Sequence, residues 1–157
     1  MEIRICVNGT DHIVEIDAGE TLLDLLRWLG YKGPKKACET GNCGACAVIL
    51  DGRPVVSCIM LAAQADGGTV QTAEGLAEAG KLHPVQEAFM DAGAPQCGFC
   101  TPGMVMTAAA FLETNPDPTR AEVRDAISGN ICRCSGYVKV VDAIVEAARR
   151  IREAGRA

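Results

Sequence analysis

Residues 38–46 read CETGNCGAC and place three cysteines in one short loop, at the spacing C-x4-C-x2-C. A fourth cysteine, Cys58, follows a short distance along the chain. Three thiols in a loop and one farther on are the ligand pattern of plant-type [2Fe-2S] clusters. Zinc sites usually present two close pairs instead. The first cysteine group, Cys38, Cys43, Cys46 and Cys58, therefore predicts a [2Fe-2S] cluster.

The glycines of this loop support the prediction. Gly41 and Gly44 can take a positive φ without a Cβ penalty, so the backbone can wrap tightly and turn its N–H groups toward sulfur. Hydrogen bonds to the ligand sulfurs tune the potential of a cluster. We therefore expect a positive φ at both glycines.

Four more cysteines form a second group of two close pairs: Cys97, Cys100, Cys132 and Cys134. Their spacing alone also fits a thioredoxin-like dithiol or a zinc site. Both pairs precede predicted helices, whose N-termini stabilise thiolates and added negative charge. An extended backbone at 132–134 would turn both sulfurs to one side and Arg133 to the other. These features favour a cluster and leave zinc open.

Local patterns divide the chain near residue 75. Before it, strands are predicted at 3–7, 12–16, 47–50, 55–58 and 69–72, with turns at 8–11 (Asn8-Gly9-Thr10-Asp11) and Asp51-Gly52 and one helix at 22–29 capped by Thr21. After residue 80, helices are predicted at 84–92, 102–114, 118 or 119–128 and 136–152, with a capping box between Thr119 and Glu122. The fold class is therefore α+β.

Composition limits the function. The 157 residues carry a net charge of −5, which argues against nucleic acid as a partner, and thiolate-ligated clusters would add negative charge. No apolar run approaches the roughly 20 residues of a membrane span, and the N-terminus lacks the layout of a signal peptide. We therefore expect a cytoplasmic protein, in which grouped cysteines bind metal instead of forming disulfides. The ninth cysteine, Cys6, is predicted to be a small core residue of the first strand.

Three segments together resemble one family. Residues 38–46, 96–104 (QCGFCTPGM) and 128–137 (SGNICRCSGY) are similar to the small iron-sulfur subunit of the molybdenum hydroxylases, the xanthine dehydrogenase family. The resemblance runs from about residue 3 to residue 151. It implies an N-terminal β-grasp ferredoxin-like domain (1–75) with one [2Fe-2S] cluster and a C-terminal four-helix-bundle domain (76–157) with another. It also favours a cluster over zinc at the second group.

Two positions depart from the family pattern. Many relatives have glycine where this chain has Ala37, so a positive φ is less expected at this position. Many also have threonine where this chain has Ser135. We expect the Ser135 hydroxyl to serve as a helix N-cap.

The resemblance also implies an order of electron transfer. A large partner subunit would hold molybdenum on a molybdopterin dinucleotide cofactor and hydroxylate the substrate with oxygen from water, so this chain would contain no catalytic residue. The second group's cluster would lie beside the pterin, with Gln96 and Cys134 touching it. The first group's cluster would pass electrons to FAD on a medium subunit, completing a heterotrimer. Each cluster carries one electron at a time.

Two other functions stay open on the sequence: a free-standing double-cluster ferredoxin and a zinc-stabilised interaction module. The histidines, His12 and His83, are predicted to be structural, because no carboxylate or cysteine pattern marks either as a ligand. Trp28 and Phe99 are predicted to pack in the core or at an interface.

Overall fold

The computed structural model describes residues 1–155, and it begins with a five-stranded sheet crossed by one helix. The elements are β1 (Glu2–Val7), β2 (Thr10–Glu15), α1 (Leu22–Trp28), β3 (Ala47–Leu50), β4 (Arg53–Val56) and β5 (Thr69–Gln71). The sheet order is β2-β1-β5-β3-β4. The β1 and β5 strands are parallel and the other neighbours are antiparallel. Two short 3₁₀ helices, Ala62–Ala65 and Ala73–Gly75, flank β5.

Local sequence chemistry sets these elements as predicted. Both hairpin turns have two successive residues of positive φ: Asn8 (51°) and Gly9 (80°), then Asp51 (48°) and Gly52 (76°). This backbone matches the twist of the flanking strands. At the start of α1, the Thr21 hydroxyl oxygen accepts a hydrogen bond from the backbone N–H of Asp24, at 3.1 Å. The two hairpins and the N-cap are confirmed. The bounds of two strands differ, however: β2 begins at Thr10 instead of residue 12, and β4 is Arg53–Val56 instead of 55–58, so Cys58 lies after the strand.

The core of this first unit lies between the sheet and α1. Ile3, Ile5 and Val7 of β1 are buried against Leu22 and Leu26 of α1. Successive side chains of a strand point to opposite faces. Cys6 therefore lies on the other face of β1 and is only half-buried, so the prediction that it is a core residue is wrong.

Four helices follow: α2 (Pro84–Asp91), α3 (Thr101–Thr114), α4 (Arg120–Ala126) and α5 (Val138–Ala154). The capping box at α4 is present, since the backbone N–H of Thr119 donates to Glu122 at 2.7 Å and that of Glu122 to the Thr119 hydroxyl at 3.3 Å. The α5 helix begins two residues later than predicted. Gly136 and Tyr137 have left-handed φ values of 63° and 66°, which a right-handed helix excludes. The predicted α+β class is confirmed.

The two units are in direct contact. Helix α3 lies against β3, and Ile49 of β3 packs on the helical core. Gly103 of α3 meets the first cysteine loop so closely that a Cβ there would lie 2.2 Å from the carbonyl oxygen of Gly44. Only glycine fits at such an approach. Within the described range, none of the helices is long and apolar enough to cross a membrane.

Candidate metal centres

The β3–β4 hairpin brings two members of the first cysteine group together. Cys46 directly precedes β3 and Cys58 lies just after β4. Across this end of the hairpin, the Ser57 hydroxyl donates a hydrogen bond to the Cys46 carbonyl oxygen at 2.7 Å. Cys46 and Cys58 are buried together against Leu23 of α1. The other two members, Cys38 and Cys43, are half-buried in the loop.

The loop backbone adopts the conformation that its glycines predict. Gly41 and Gly44 have φ values of 78° and 67°. The backbone N–H of Thr40 points at Cys38 Sγ, at 3.5 Å. The φ of Ala37 is not positive, whereas that of Glu39 is 56°. The alanine therefore causes no strain at its position.

The thiols of this group differ in charge tendency. Backbone N–H groups of Thr40 and Cys43 lower the pKa of Cys38 to about 6, because they stabilise its thiolate. Burial raises the pKa of Cys58 to about 11, and the neighbouring Cys46 adds to the effect. The loop therefore provides hydrogen-bond donors to a thiolate at Cys38. On the hairpin side, Cys58 is buried away from water.

The second cysteine group converges at the N-terminal ends of α3 and α5. All four of its cysteines line one cavity. Arg133 lies between two of them in sequence, but it is exposed and does not line the cavity. Cys97 Sγ lies 3.5 Å from Cys134 Sγ. That separation is too long for a disulfide. It is near the roughly 3.7 Å expected for two sulfurs held tetrahedrally by one metal through bonds of about 2.3 Å.

Hydrogen bonds also differentiate the thiols here. Burial and, to a smaller extent, the neighbouring Cys132 raise the pKa of Cys100 to about 12. Burial acts to raise the pKa of Cys132 as well, but hydrogen bonds from the hydroxyl and backbone N–H of Ser135, together with those from Cys134 and Cys100, lower that pKa to about 7. The cavity therefore contains a sulfur, that of Cys132, whose negatively charged thiolate form is stabilised by hydrogen bonds.

The predicted N-cap role of Ser135 is wrong. Its hydroxyl lies 3.2 Å from Cys132 Sγ, and the residue before α5 is Tyr137, which makes no side-chain cap. The Tyr137 hydroxyl instead accepts a hydrogen bond from the backbone N–H of Cys132, at 2.7 Å. Nothing in the sequence signals this contact, because a tyrosine five residues after a candidate ligand follows no known spacing rule.

The donor set fits iron-sulfur clusters. All nine cysteines are free thiols. Between residues 1 and 155, no three His, Cys, Asp or Glu side chains are grouped closely enough to hold a single metal ion. A [2Fe-2S] cluster divides four cysteine ligands between two irons, so it needs sulfurs in pairs. Each group offers four thiols with N–H or O–H donors beside them.

The structure also gives the positions of the other residues that the sequence analysis singled out. Gln96 is exposed and lines the same cavity as Cys134. Trp28 is 73% exposed and Phe99 47%, so neither is a core residue. His83 caps α2 through Nδ1, which accepts from the backbone N–H of Val85 at 3.3 Å. His12 Nε2 lies 3.1 Å from the Tyr31 hydroxyl.

Comparison with known proteins gives two matches to cluster-binding domains. Residues 5–77 match a family described as a 2Fe-2S iron-sulfur cluster binding domain, and residues 72–145 match a [2Fe-2S] binding domain. The nicotinate dehydrogenase small FeS subunit of Eubacterium barkeri is 49% identical over 149 residues, which cover 94% of this chain and 95% of the relative. The chain belongs to the small iron-sulfur subunits of the molybdenum hydroxylases.

Solved structures agree with this membership. A chain of quinoline 2-oxidoreductase from Pseudomonas putida 86 superposes with a TM-score of 0.93 at 43% identity, covering 98% of this subunit and 96% of that chain. Aldehyde oxidoreductase from Desulfovibrio gigas gives 0.93 at 44% identity, covering 98% of this subunit but 17% of that chain. There the same fold is one part of a larger oxidoreductase chain.

These matches confirm several predictions. The subunit binds two [2Fe-2S] clusters, it belongs to an oxidoreductase complex, and its role is electron transfer. In this family, molybdopterin and FAD are carried by partner subunits. A large partner subunit is part of such complexes. The match to cluster domains at both groups also decides against the zinc-stabilised module.

Proposed function

We propose that this subunit passes electrons one at a time from a molybdopterin site on the large subunit to FAD on a medium subunit, within a cytoplasmic heterotrimer. The entry cluster is bound by the second cysteine group in residues 76–157, where Gln96 and Cys134 contact the pterin. The exit cluster is bound by the first cysteine group in residues 1–75. Bound clusters supply the one-electron chemistry, and the protein supplies spacing, exclusion of water and donors to sulfur.

One hydrogen bond between the two groups carries this proposal. The backbone N–H of Ile131 donates to the carbonyl oxygen of Cys43, at 2.9 Å. Cys43 belongs to the first group, and Ile131 directly precedes Cys132 of the second. A single hydrogen bond thus joins a ligand residue of one cluster to the neighbour of a ligand of the other. This contact supports a short route between the clusters through the protein.

The exposure of the thiols supports the order. Cys97 and Cys134 are exposed, and so is Gln96 beside them. A partner that carries the pterin can therefore reach the second group directly. In the first group, Cys46 and Cys58 are buried, so access is through the loop that contains half-buried Cys38 and Cys43. Each group therefore has thiols that a partner can approach from solvent.

Cluster content and ligand grouping can be tested together. We expect four irons and four acid-labile sulfides per chain and two distinct EPR signals after reduction. Cys43→Ser should remove one signal and Cys132→Ser the other, while the control Cys6→Ser should keep both. Loss of both signals from either ligand variant, with the fold intact, would show that the grouping is wrong. Zinc without sulfide would exclude both clusters.

The order is tested in the assembled complex. The tagged subunit should co-purify with a large and a medium subunit, and isolation as a lone monomer at native expression would favour a free-standing ferredoxin. The named relatives suggest a substrate panel of nicotinate, quinoline and an aldehyde. With an active substrate, the Cys43→Ser complex should reduce its remaining cluster while FAD stays oxidised. Reduction of FAD at the wild-type rate would contradict the order.

A further inference from the structure

Ser135 makes two contacts to one sulfur of the second cysteine group. Its hydroxyl oxygen lies 3.2 Å from Cys132 Sγ, and its backbone nitrogen lies 3.3 Å from the same atom. A cysteine that ligates iron is a thiolate, which accepts hydrogen bonds and donates none. Both contacts therefore have Ser135 as the donor when the cluster is bound.

The hydroxyl is oriented by a third contact. The backbone N–H of Tyr137 donates to the Ser135 hydroxyl oxygen, at 3.3 Å. A serine hydroxyl has one proton to donate and two lone pairs to accept with. Because the tyrosine N–H occupies a lone pair, the serine proton is left for the sulfur of Cys132.

The loop that contains Ser135 is closed at both ends. The Tyr137 hydroxyl accepts a hydrogen bond from the backbone N–H of Cys132 at 2.7 Å, so the tyrosine side chain spans the loop. Gly136 and Tyr137 both have left-handed φ values, which turn the chain back toward the cysteine. A non-glycine residue in this region is uncommon and is maintained by its surroundings. Ser135 is therefore fixed relative to Cys132.

We propose that Ser135 is a positioning residue that raises the reduction potential of the cluster bound by the second cysteine group, by donating its hydroxyl proton to Cys132 Sγ. Reduction adds one electron to this cluster and forms or breaks no bond, and the proton stays on Ser135. The added negative charge resides partly on the sulfurs, so a donor to sulfur stabilises the reduced state more than the oxidised one. This inference rests on the proposed ligand assignment.

The consequence concerns the direction of electron flow. The cluster next to the molybdopterin site must accept electrons before it can pass them to the first group. A hydroxyl that favours its reduced state therefore assists uptake from the large subunit.

The test is an EPR-monitored redox titration of the assembled complex carrying Ser135→Ala, with Ser135→Thr as the matched control that keeps a hydroxyl. We expect Ser135→Ala to lower the reduction equilibrium constant of the Cys132-dependent cluster by about three- to tenfold, tenfold being 59 mV for one electron. The other cluster should stay unchanged, and Ser135→Thr should remain within about twofold of the wild type. Unchanged potentials in Ser135→Ala, or equal shifts of both clusters, would overturn the proposal.

A nearly isosteric pair covers the case in which alanine loses the cluster. Ser135→Val and Ser135→Thr have almost the same shape but differ by the hydroxyl, so only valine should lower the potential. Transfer to D₂O should shift an Fe–S stretching band of the cluster in the threonine variant by more than in the valine variant. Equal potentials and equal isotope shifts in the pair would refute the role of the hydroxyl. Persistence of the assigned signal in Cys132→Ser would instead refute the ligand assignment.

Discussion

The side-chain amide of Asn130 donates a hydrogen bond to the carbonyl oxygen of Gly44, at 3.1 Å. Asn130 belongs to the helical unit and is only 4% exposed, whereas Gly44 lies in the loop of the first cysteine group. A Cβ at Gly44 would lie 2.5 Å from the Asn130 amide nitrogen. The glycine therefore both shapes the loop and makes room for the neighbouring unit. This contact fixes the first cysteine loop against the segment that leads to Cys132.

Asn130→Ala should weaken this contact between the units. A buried acceptor left without a donor costs about 1–3 kcal/mol. In a chain of this size, 1 kcal/mol corresponds to about 2–4 °C in melting temperature. Differential scanning calorimetry of the cluster-loaded subunit should show this loss. The control Ser128→Ala should show no such loss, because Ser128 is exposed and lies two positions away. An unchanged melting temperature in Asn130→Ala would show that the amide contributes nothing to stability.

Gly103→Ala should also destabilise the chain, although alanine is normally the better helix former. In an exposed helix the change would gain about 1 kcal/mol. Here the new Cβ would meet the Gly44 carbonyl oxygen at 2.2 Å, and backbone atoms cannot move away cheaply. Overpacking costs about 1–3 kcal/mol, so we expect a net loss in thermal unfolding. The control Gly129→Ala, where a Cβ would meet nothing within 4 Å, should be close to neutral. Stabilisation by Gly103→Ala would contradict the close approach.

The parts of the fold that depend on neighbouring residues in sequence were predictable. The Asp51-Gly52 turn, the Thr21 cap and the Thr119–Glu122 capping box all follow from local side-chain and backbone chemistry. The first cysteine loop was predictable for the same reason, since its spacing and glycines lie within one segment. In each case the deciding contact joins residues a few positions apart.

The features that depend on the folded environment were not predictable. The start of α5 follows from the left-handed conformation of Tyr137, and the contact of Ser135 with Cys132 lies in a loop that the Cys132–Tyr137 hydrogen bond closes. The exposure of Trp28 and the face of β1 that holds Cys6 depend on which surfaces the rest of the chain covers. Periodicity assigns the faces of an element, but packing decides which of them is buried.

Removal of both clusters should lower the melting temperature more than any substitution above, because ligand binding energy is also folding energy. Burial would keep the thiols of Cys58 and Cys100 protonated in the cluster-free chain, with pKa values of about 11 and 12, so the emptied sites gain no ion pairs in exchange. Circular dichroism after chelation should show loss of structure in both units. Reconstitution with iron and sulfide should restore it, whereas an unchanged spectrum after chelation would refute the prediction.

His83 provides a pH-dependent element outside the clusters. Its Nδ1 must be unprotonated to accept the Val85 N–H at the start of α2. Burial lowers the pKa of His83, and the carboxylates of Glu113 and Glu78 oppose this only in part. The unfolded chain therefore binds a proton at higher pH than the folded chain does. The stability contributed by neutral His83 is complete above the ordinary histidine pKa of about 6.5 and is lost as pH falls toward the lower folded value.

The wild-type subunit should consequently lose more stability between pH 7.5 and pH 5.5 than His83→Asn, because asparagine can still cap the helix but does not titrate in this range. Calorimetry of the cluster-loaded chain at both pH values measures the two slopes. His83→Ala should in addition lose about 1 kcal/mol at pH 7.5, the usual cost of removing a cap. His12→Asn controls for the loss of an imidazole, since His12 lies on β2 and contacts Tyr31 instead of α2. Equal slopes in the wild type and His83→Asn would mean that protonation of this cap does not limit stability.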